Sequence, residues 1–404
     1  MECFRFFAKL LIPGRYERRL KISFDFDTEV NRLGTSSLKW DRYQGRDVIP
    51  LWVADMDFLS PPAVIEALRA RADHGVFGYS LPPSGLVDTV IDMLMQKYGW
   101  SVEPEWIIWL PGLVTGLNVM CRCAGRQGDE VITATPIYPP FLSAPGFSNK
   151  TLVKTPLVEY KGRYEFDFDH IEACVSPKTR LFLLCNPHNP TGRVYTSEEL
   201  ERLAVICDEN DLILCSDEIH CDLVLDTHRK HMPVAALGQD FARRTVTLMA
   251  PSKTFNIPGL GCSFAVIPDN GLRKAFLKVM EGIVPHVNVL GYTAALAAYC
   301  DGWSWHNDLL DYLRENRGIV SQRIQGMAGL SMNHVEATYL AWIKVDDPGP
   351  SDPVRFFEHA GVGLSDGAYF GSPGFVRLNF GCPRSVLNNA LARMEKALQG
   401  ASFG

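Results

Sequence analysis

Four short stretches carry residue types that could do chemistry together. "MAPSKTFNIPGLG", residues 249–261, sets Lys253 between an apolar run and a Pro/Gly turn. "LILCSDEIH", residues 212–220, ends an apolar run on Asp217. "RLFLLCNPHNPTG", residues 180–192, does the same with Asn189 a few positions on. "WIIWLPGLVTGLNVM", residues 106–120, runs through glycines at 112 and 116 into a helical pattern. A helix start offers free N–H groups and the positive end of a dipole, which suits a phosphate. Singly, each has a plainer reading: a solvated lysine, a capping aspartate, turn-forming Asn/Pro/Gly, an ordinary strand–helix turn. Together they supply what pyridoxal phosphate chemistry needs: an amine to condense with its aldehyde, a carboxylate for its protonated ring nitrogen, and a phosphate cradle.

These residues can meet only if the elements bring them to one place. The runs at 130–136, 180–187, 212–218, 245–252 and 261–268 are short and apolar, end in turn signals and predict strands. Helical patterns separate several of them, notably 197–210, for which Thr196 or Ser197 is the predicted cap. Repeated strand–helix–strand units imply an α/β fold: a large domain with a mostly parallel sheet covered by helices on both faces. Ligands of such sheets bind beyond the carboxyl ends of the strands. That is where Asn189, Asp217 and Lys253 are expected. After about residue 270 come long helical stretches, then strand-like runs at 337–346 and 374–381 and a final amphipathic helix over 385–400. They predict a smaller α+β domain. The expected division is 1–60 as an N-terminal segment packing with the small domain, 61–285 as the large domain and 286–404 as the small one.

The chain has 404 residues, of which 47% are hydrophobic and 21% charged, enough for a sizeable core. A formal net charge of −6, without long runs of one sign, gives no reason to expect nucleic acid or an anionic membrane as partner. The start, "MECFRFFAKLLIPGRYERRLK", is read as an extension rather than a signal or anchor, because Arg5 and Lys9 break its apolar run and no small-residue cleavage site follows. The 11 cysteines are scattered through apolar stretches without C-x-x-C spacing. They read as buried thiols in a reducing cytoplasm.

In their order, "NPHNPTG", "SDEIH", "SKTFNIPGLG" and "VRLNFGCP" make the chain resemble fold-type I pyridoxal-phosphate enzymes of the class I/II aminotransferase superfamily. "PLWVADMDF" at 50–58, "FGYS" at 77–80 and "LSDGAYFG" at 364–371 make it similar to the cystathionine β-lyase or C–S lyase branch. The resemblance covers roughly residues 23–398. It implies pyridoxal 5′-phosphate as cofactor and Lys253 as the residue that binds it covalently. Asp217 would face the ring nitrogen, Asn189 the ring oxygen, and Tyr138 would stack on the ring. Gly112, Leu113, Val114 and Ser252 would hold the phosphate, helped by Tyr79 from a neighbouring subunit of a homodimer. Arg377 would clamp the substrate α-carboxylate, with Ala54 and Asn189 also at the substrate.

Two positions depart from the wider superfamily. His220 stands where many aminotransferases carry a tyrosine, and Gly261 where many carry a phosphate-binding arginine. Both departures resemble the lyase branch and imply a phosphate site relying on backbone amides. His220 is accordingly placed beside the cofactor and not in a metal site, since one strand end cannot easily aim Asp217, Glu218 and His220 at a single ion. His228 and His231, in the charged stretch "DTHRKHMP", are expected to be solvated. The resemblance implies a β-lyase acting on cystathionine or another cysteine S-conjugate. An aminotransferase, and a regulatory or binding protein on the same scaffold, stay open as alternatives.

Overall fold

A computed structural model describes residues 24–346 and 349–401. The opening extension lies outside the described residues. Strand β1 (Ile49–Pro50) precedes the large sheet, which is built from β2 (Ile107–Leu110), β3 (Glu130–Thr135), β4 (Thr151–Tyr160), β5 (Arg163–Phe166), β6 (Thr179–Cys185), β7 (Ile213–Asp217), β8 (Thr245–Met249) and β9 (Ser263–Val266). Their order is β2-β9-β8-β7-β6-β3-β4-β5. The run β8-β7-β6-β3-β4 is parallel throughout, while β9 and β5 pair antiparallel to their neighbours. The smaller sheet contains β10 (Leu330–Met332), β11 (Leu340–Val345), β13 (Ser365–Asp366) and β14 (Phe375–Asn379) and is antiparallel. β12 (Val362–Gly363) pairs in parallel with β1, which fastens the stretch around residue 50 to the C-terminal part.

Alternation along the parallel strands explains the two helical layers. In β6, Leu181, Leu183 and Cys185 pack on one side with the helices Leu113–Cys123 and Asn270–Met280. Phe182 and Leu184 pack on the other with Leu200, Leu203 and Ile206 of the helix Ser197–Glu209. That helix begins as its sequence suggests. Thr196 Oγ1 accepts from the Glu199 N–H (3.2 Å), and the Glu199 carboxylate accepts from the Thr196 N–H (2.7 Å), a complete capping box. A third core joins the small sheet to the helices Val289–Asp301 and Trp303–Gln325.

The hairpin β4–β5 was not among the expected strands. Residues of β4 are mostly exposed or half-exposed, so the segment lacks the apolar run that marks its buried neighbours. The start of "ATYLAWIKVD" lies ahead of β11: Ala337 forms an isolated antiparallel bridge with Val224, and residues 338 and 339 are a buried bend. Among the described residues, no helix is long and apolar enough to cross a membrane.

Candidate active site

Register brings three chemical groups to one end of the large sheet. Cys185 of β6 pairs with Asp217 of β7, and Asp217 with Leu248 of β8. Backbone bonds continue past the strand ends, from Asn186 N–H to the Asp217 carbonyl (3.0 Å) and from Glu218 N–H to the Leu248 carbonyl (2.8 Å). The loops that leave these ends carry Asn189 and Lys253. Lys253 sits on a single helical turn, Pro251–Thr254, set off β8 by extended Ala250. The strand expected over 245–252 therefore stops at Met249, and Pro251 and Ser252 belong to the turn.

Lys253 is half-buried, and its Nζ donates to the Ala54 carbonyl at 2.5 Å. Burial lowers its pKa to about 8, with the Arg377 cation acting in the same direction and Asp55 and Asp217 opposing. Burial also raises Asp217 to about 7; its carboxylate accepts from the Ile219 N–H (3.1 Å), and no cation is within ion-pair distance among the described residues. Arg377, on β14, is equally enclosed. Its Nη1 donates to Asn189 Oδ1 (2.9 Å), its Nη2 to the Trp52 carbonyl (2.9 Å) and Ser365 Oγ (3.3 Å), and its Nε has no partner. The guanidinium also lies over the Phe370 ring at 4.7 Å. Burial pulls its pKa down to about 10. An amine, a carboxylate and a guanidinium are thus enclosed together without being paired in salt bridges, an arrangement that costs stability unless a ligand completes it.

The remaining residues complete the surroundings. Tyr138 is half-buried, its hydroxyl raised in pKa by burial, and it feels both Arg377 and Asp217. His220 is buried against Tyr339, its Nδ1 has no partner, and burial lowers its pKa to about 3, so the ring is neutral. Among the described residues, no group of His, Cys, Asp and Glu is placed to hold a metal ion. Gly112 is the N-cap of the helix Leu113–Cys123; Leu113 is buried and Val114 exposed. The first amides of that helix have no acceptors within it. Gly116 is where this helix meets β8: an added Cβ would stand 3.0 Å from a Leu248 methyl. Ser252 is half-buried on the turn that carries Lys253. Gly261 has φ +60, and a Cβ there would stand 3.1 Å from the Pro111 carbonyl. Glycine at this position therefore lets the chain after Lys253 approach the 111–112 turn. Tyr79 lies apart from the enclosed group, fully exposed on the segment between residues 75 and 83.

The "WVADMDF" stretch does more than line the site. Its carbonyls hold both cations: Trp52 takes Arg377, and Ala54 takes Lys253 together with the Tyr339 hydroxyl (2.8 Å). Asn256, at φ +53, bonds the backbone of Met56 and Phe58, while Asn379 bonds the carbonyls of Val53 and Asp55. Asn256, Asn379 and Tyr339 were not singled out from the sequence. The asparagine in "SKTFNIPGLG" was the one signal available, since a residue that tolerates left-handed backbone was placed in a turn.

His231 corrects the sequence reading. It is buried, and its Nε2 lies 2.7 Å from Glu218 Oε2, while Ser216 Oγ donates to Glu218 Oε1 (2.9 Å). The charged residues around it suggested a solvated loop, but the carboxylate beside Asp217 draws it inward; His228 is exposed.

The model of the family "Aminotransferase class I and II" matches residues 46–394. Cystathionine beta-lyase PatB of Bacillus subtilis (strain 168) is 39% identical over 386 residues, covering 93% of this chain and 100% of that protein. The crystal structure of OvoB superposes with a TM-score of 0.92 at 45% identity, covering 94% of this chain and 100% of that one. Cystalysin from Treponema denticola, solved with a pyridoxal 5′-phosphate cofactor, does so with a TM-score of 0.90 at 33% identity, over 93% and 99% of the two chains. With its lysine, aspartate and arginine gathered at the sheet end, the chain belongs to the class I and II aminotransferase family, in the branch of the cystathionine β-lyases.

Proposed function

We propose that the protein is a pyridoxal-phosphate-dependent carbon–sulfur β-lyase that cleaves cystathionine or another cysteine S-conjugate to a thiol, pyruvate and ammonia. The observation that carries this reading is the enclosed set of Lys253, Asp217 and Arg377, whose charges have no counter-ion pairing with one another. The donor set fits the cofactor. Asp217 offers a carboxylate to a cationic ring nitrogen, and that cation would return its pKa toward the ordinary range. Arg377 fixes the Asn189 oxygen, which leaves the amide NH₂ as a donor for the ring oxygen. Tyr138 supplies an aromatic face, His220 neutral packing, and Ser252 with the amides of Gly112, Leu113 and Val114 a cradle for phosphate. The bound cofactor supplies an electron sink for the bond-breaking at the substrate α-carbon.

The chain's own residues do the rest. Arg377 holds the substrate α-carboxylate through its planar fork, and Ala54 lies beside the substrate. Lys253 would remove the substrate α-proton; a lowered pKa suits an amine to that task. The Cβ–S bond then breaks, with its electron pair leaving on sulfur. The remaining three-carbon enamine takes up water to give pyruvate and ammonia. The reading includes a homodimer in which the partner subunit's Tyr79 reaches the phosphate; its exposure, with that of Val76, Phe77 and Leu81, supports such a contact. It also includes the cytoplasm, supported by buried thiols such as Cys121, Cys207 and Cys382, which burial pushes up to about 12.

Product analysis tests the reading. The cofactor-loaded protein, given cystathionine, cystine and S-alkyl cysteines, is expected to release pyruvate and thiol in equal amounts. Conversion of an added keto acid to its amino acid, without pyruvate, would mean transamination instead.

A further inference from the structure

The stretch 52–57 holds Lys253 and Arg377 by its carbonyls, and its side chains explain how it stays in place. Asp57 is buried and fully engaged: Oδ1 accepts from Arg32 Nη1 (2.7 Å) and Trp40 Nε1 (2.8 Å), and Oδ2 from Lys39 Nζ (2.7 Å). Asp55 is engaged on one side only. Its Oδ2 accepts from Arg32 Nη2 (2.7 Å), whereas its Oδ1 is buried without a hydrogen-bond partner, 3.7 Å from Lys39 Nζ. Arg32 thus spans both aspartates and clamps Asp55 next to the carbonyl that receives Lys253.

We propose that Asp55 is a positioning residue that favours positive charge on the Lys253 nitrogen, acting across the Ala54 peptide while Arg32 partly neutralises it. The inference rests on the reading of Lys253 as the reactive amine. The groups facing Lys253 are Asp55 and the Ala54 carbonyl from the 52–57 stretch, Asp217 and His220 from the end of β7, Arg377 from β14, and the Tyr339 hydroxyl through the shared carbonyl. Two are carboxylates; the guanidinium opposes them, and His220 is neutral. Asp55 acts on the amine in the same direction as Asp217, and it is the residue next to the carbonyl that receives Lys253. Asp217 is reserved for the ring nitrogen, so Asp55 is the carboxylate left to answer the proton that Lys253 takes from the substrate. It touches no reacting atom; it makes the amine a stronger base and steadies the ammonium form that follows proton transfer.

The test titrates the visible absorbance of the cofactor-loaded protein against pH, beside the pH profile of kcat/KM. Asp55→Asn is expected to lower the midpoint of the absorbance change by about one pH unit, the effect of losing one nearby opposite charge. Asp55→Glu is expected to restore it. Arg32→Gln is expected to move the midpoint up, because the carboxylate is then less neutralised. A midpoint unchanged in Asp55→Asn, or shifted equally by Asp55→Glu, overturns the proposal, since a purely structural role would alter melting but not the titration. If Asp55→Asn does not fold, Arg32→Gln decides: a rise supports the proposal, and no change or a fall overturns it. A wild-type protein without a visible band would count against the cofactor reading itself, a failure separate from a wild-type band that Asp55→Asn leaves unmoved.

Discussion

Two buried arginines sit in opposite electrostatic settings. Arg193 is 2% exposed and Arg377 4%. Every nitrogen of Arg193 has a partner: Nε donates to the Tyr164 carbonyl, Nη1 to Glu336 and the Val194 carbonyl, and Nη2 to both oxygens of Glu199. Glu199 also closes the capping box, and Glu336 accepts from Val194 N–H (2.7 Å), so one ion cluster ties the "NPHNPTG" loop, a helix start and the small domain together. Arg377 faces a carbonyl, an amide and a hydroxyl, has one bare nitrogen, and pairs with no carboxylate among the described residues. Desolvation is compensated within the chain for the first and left for a ligand to compensate for the second. Buried charge that the fold completes is scaffold; buried charge that it leaves incomplete marks the site.

That contrast can be broken experimentally. Lys253→Ala should cost the most, lowering thiol release by at least about 10³-fold with little loss of stability, as a steady-state assay beside a thermal melt would show. Arg377→Met should lower kcat/KM by about 10²–10³-fold, the loss of a bidentate charged contact, while the protein without cofactor melts no lower than wild type. Arg193→Met should do the reverse: activity per folded molecule stays within a few-fold, and denaturant unfolding shows a loss of about 3 kcal/mol, because Glu199 and Glu336 lose their shared cation. If both arginine variants behaved alike, the contrast would be wrong. Asp217→Asn should act through pH. A folded-state pKa of about 7, above the unfolded value near 4, means the native carboxyl binds its proton more tightly. Its contribution to stability is full below about pH 4 and is lost as pH rises through 7. The Asn variant without cofactor should therefore melt above wild type at pH 8 and alongside it at pH 4. The smallest effect expected is from Thr196→Ala, about 1 kcal/mol from the lost cap and none on the site chemistry.

The legibility of these features in the sequence follows the same division. Strands buried on both faces announce themselves as apolar runs, so β3, β6, β7 and β8, and the residues delivered at their ends, could be read directly. The hairpin β4–β5 could not, because its pattern is set by exposure at a sheet edge. His231 was misread since its partner, Glu218, lies 13 positions away and the local composition is that of a surface loop. Asn256, Asn379 and Tyr339 act through backbone carbonyls of a segment 200 to 326 positions distant, which no local spacing encodes. The arginine contrast was likewise invisible: one Arg follows "NPHNPTG" and the other stands in "VRLNFG", and only the fold decides which meets carboxylates.

The most direct measurement is to load the protein with pyridoxal 5′-phosphate, reduce it with borohydride and map the labelled peptide by mass spectrometry. The account predicts one label per chain, on Lys253, and none in Lys253→Ala. A label on another lysine, or a wild-type chain that takes none, would contradict it.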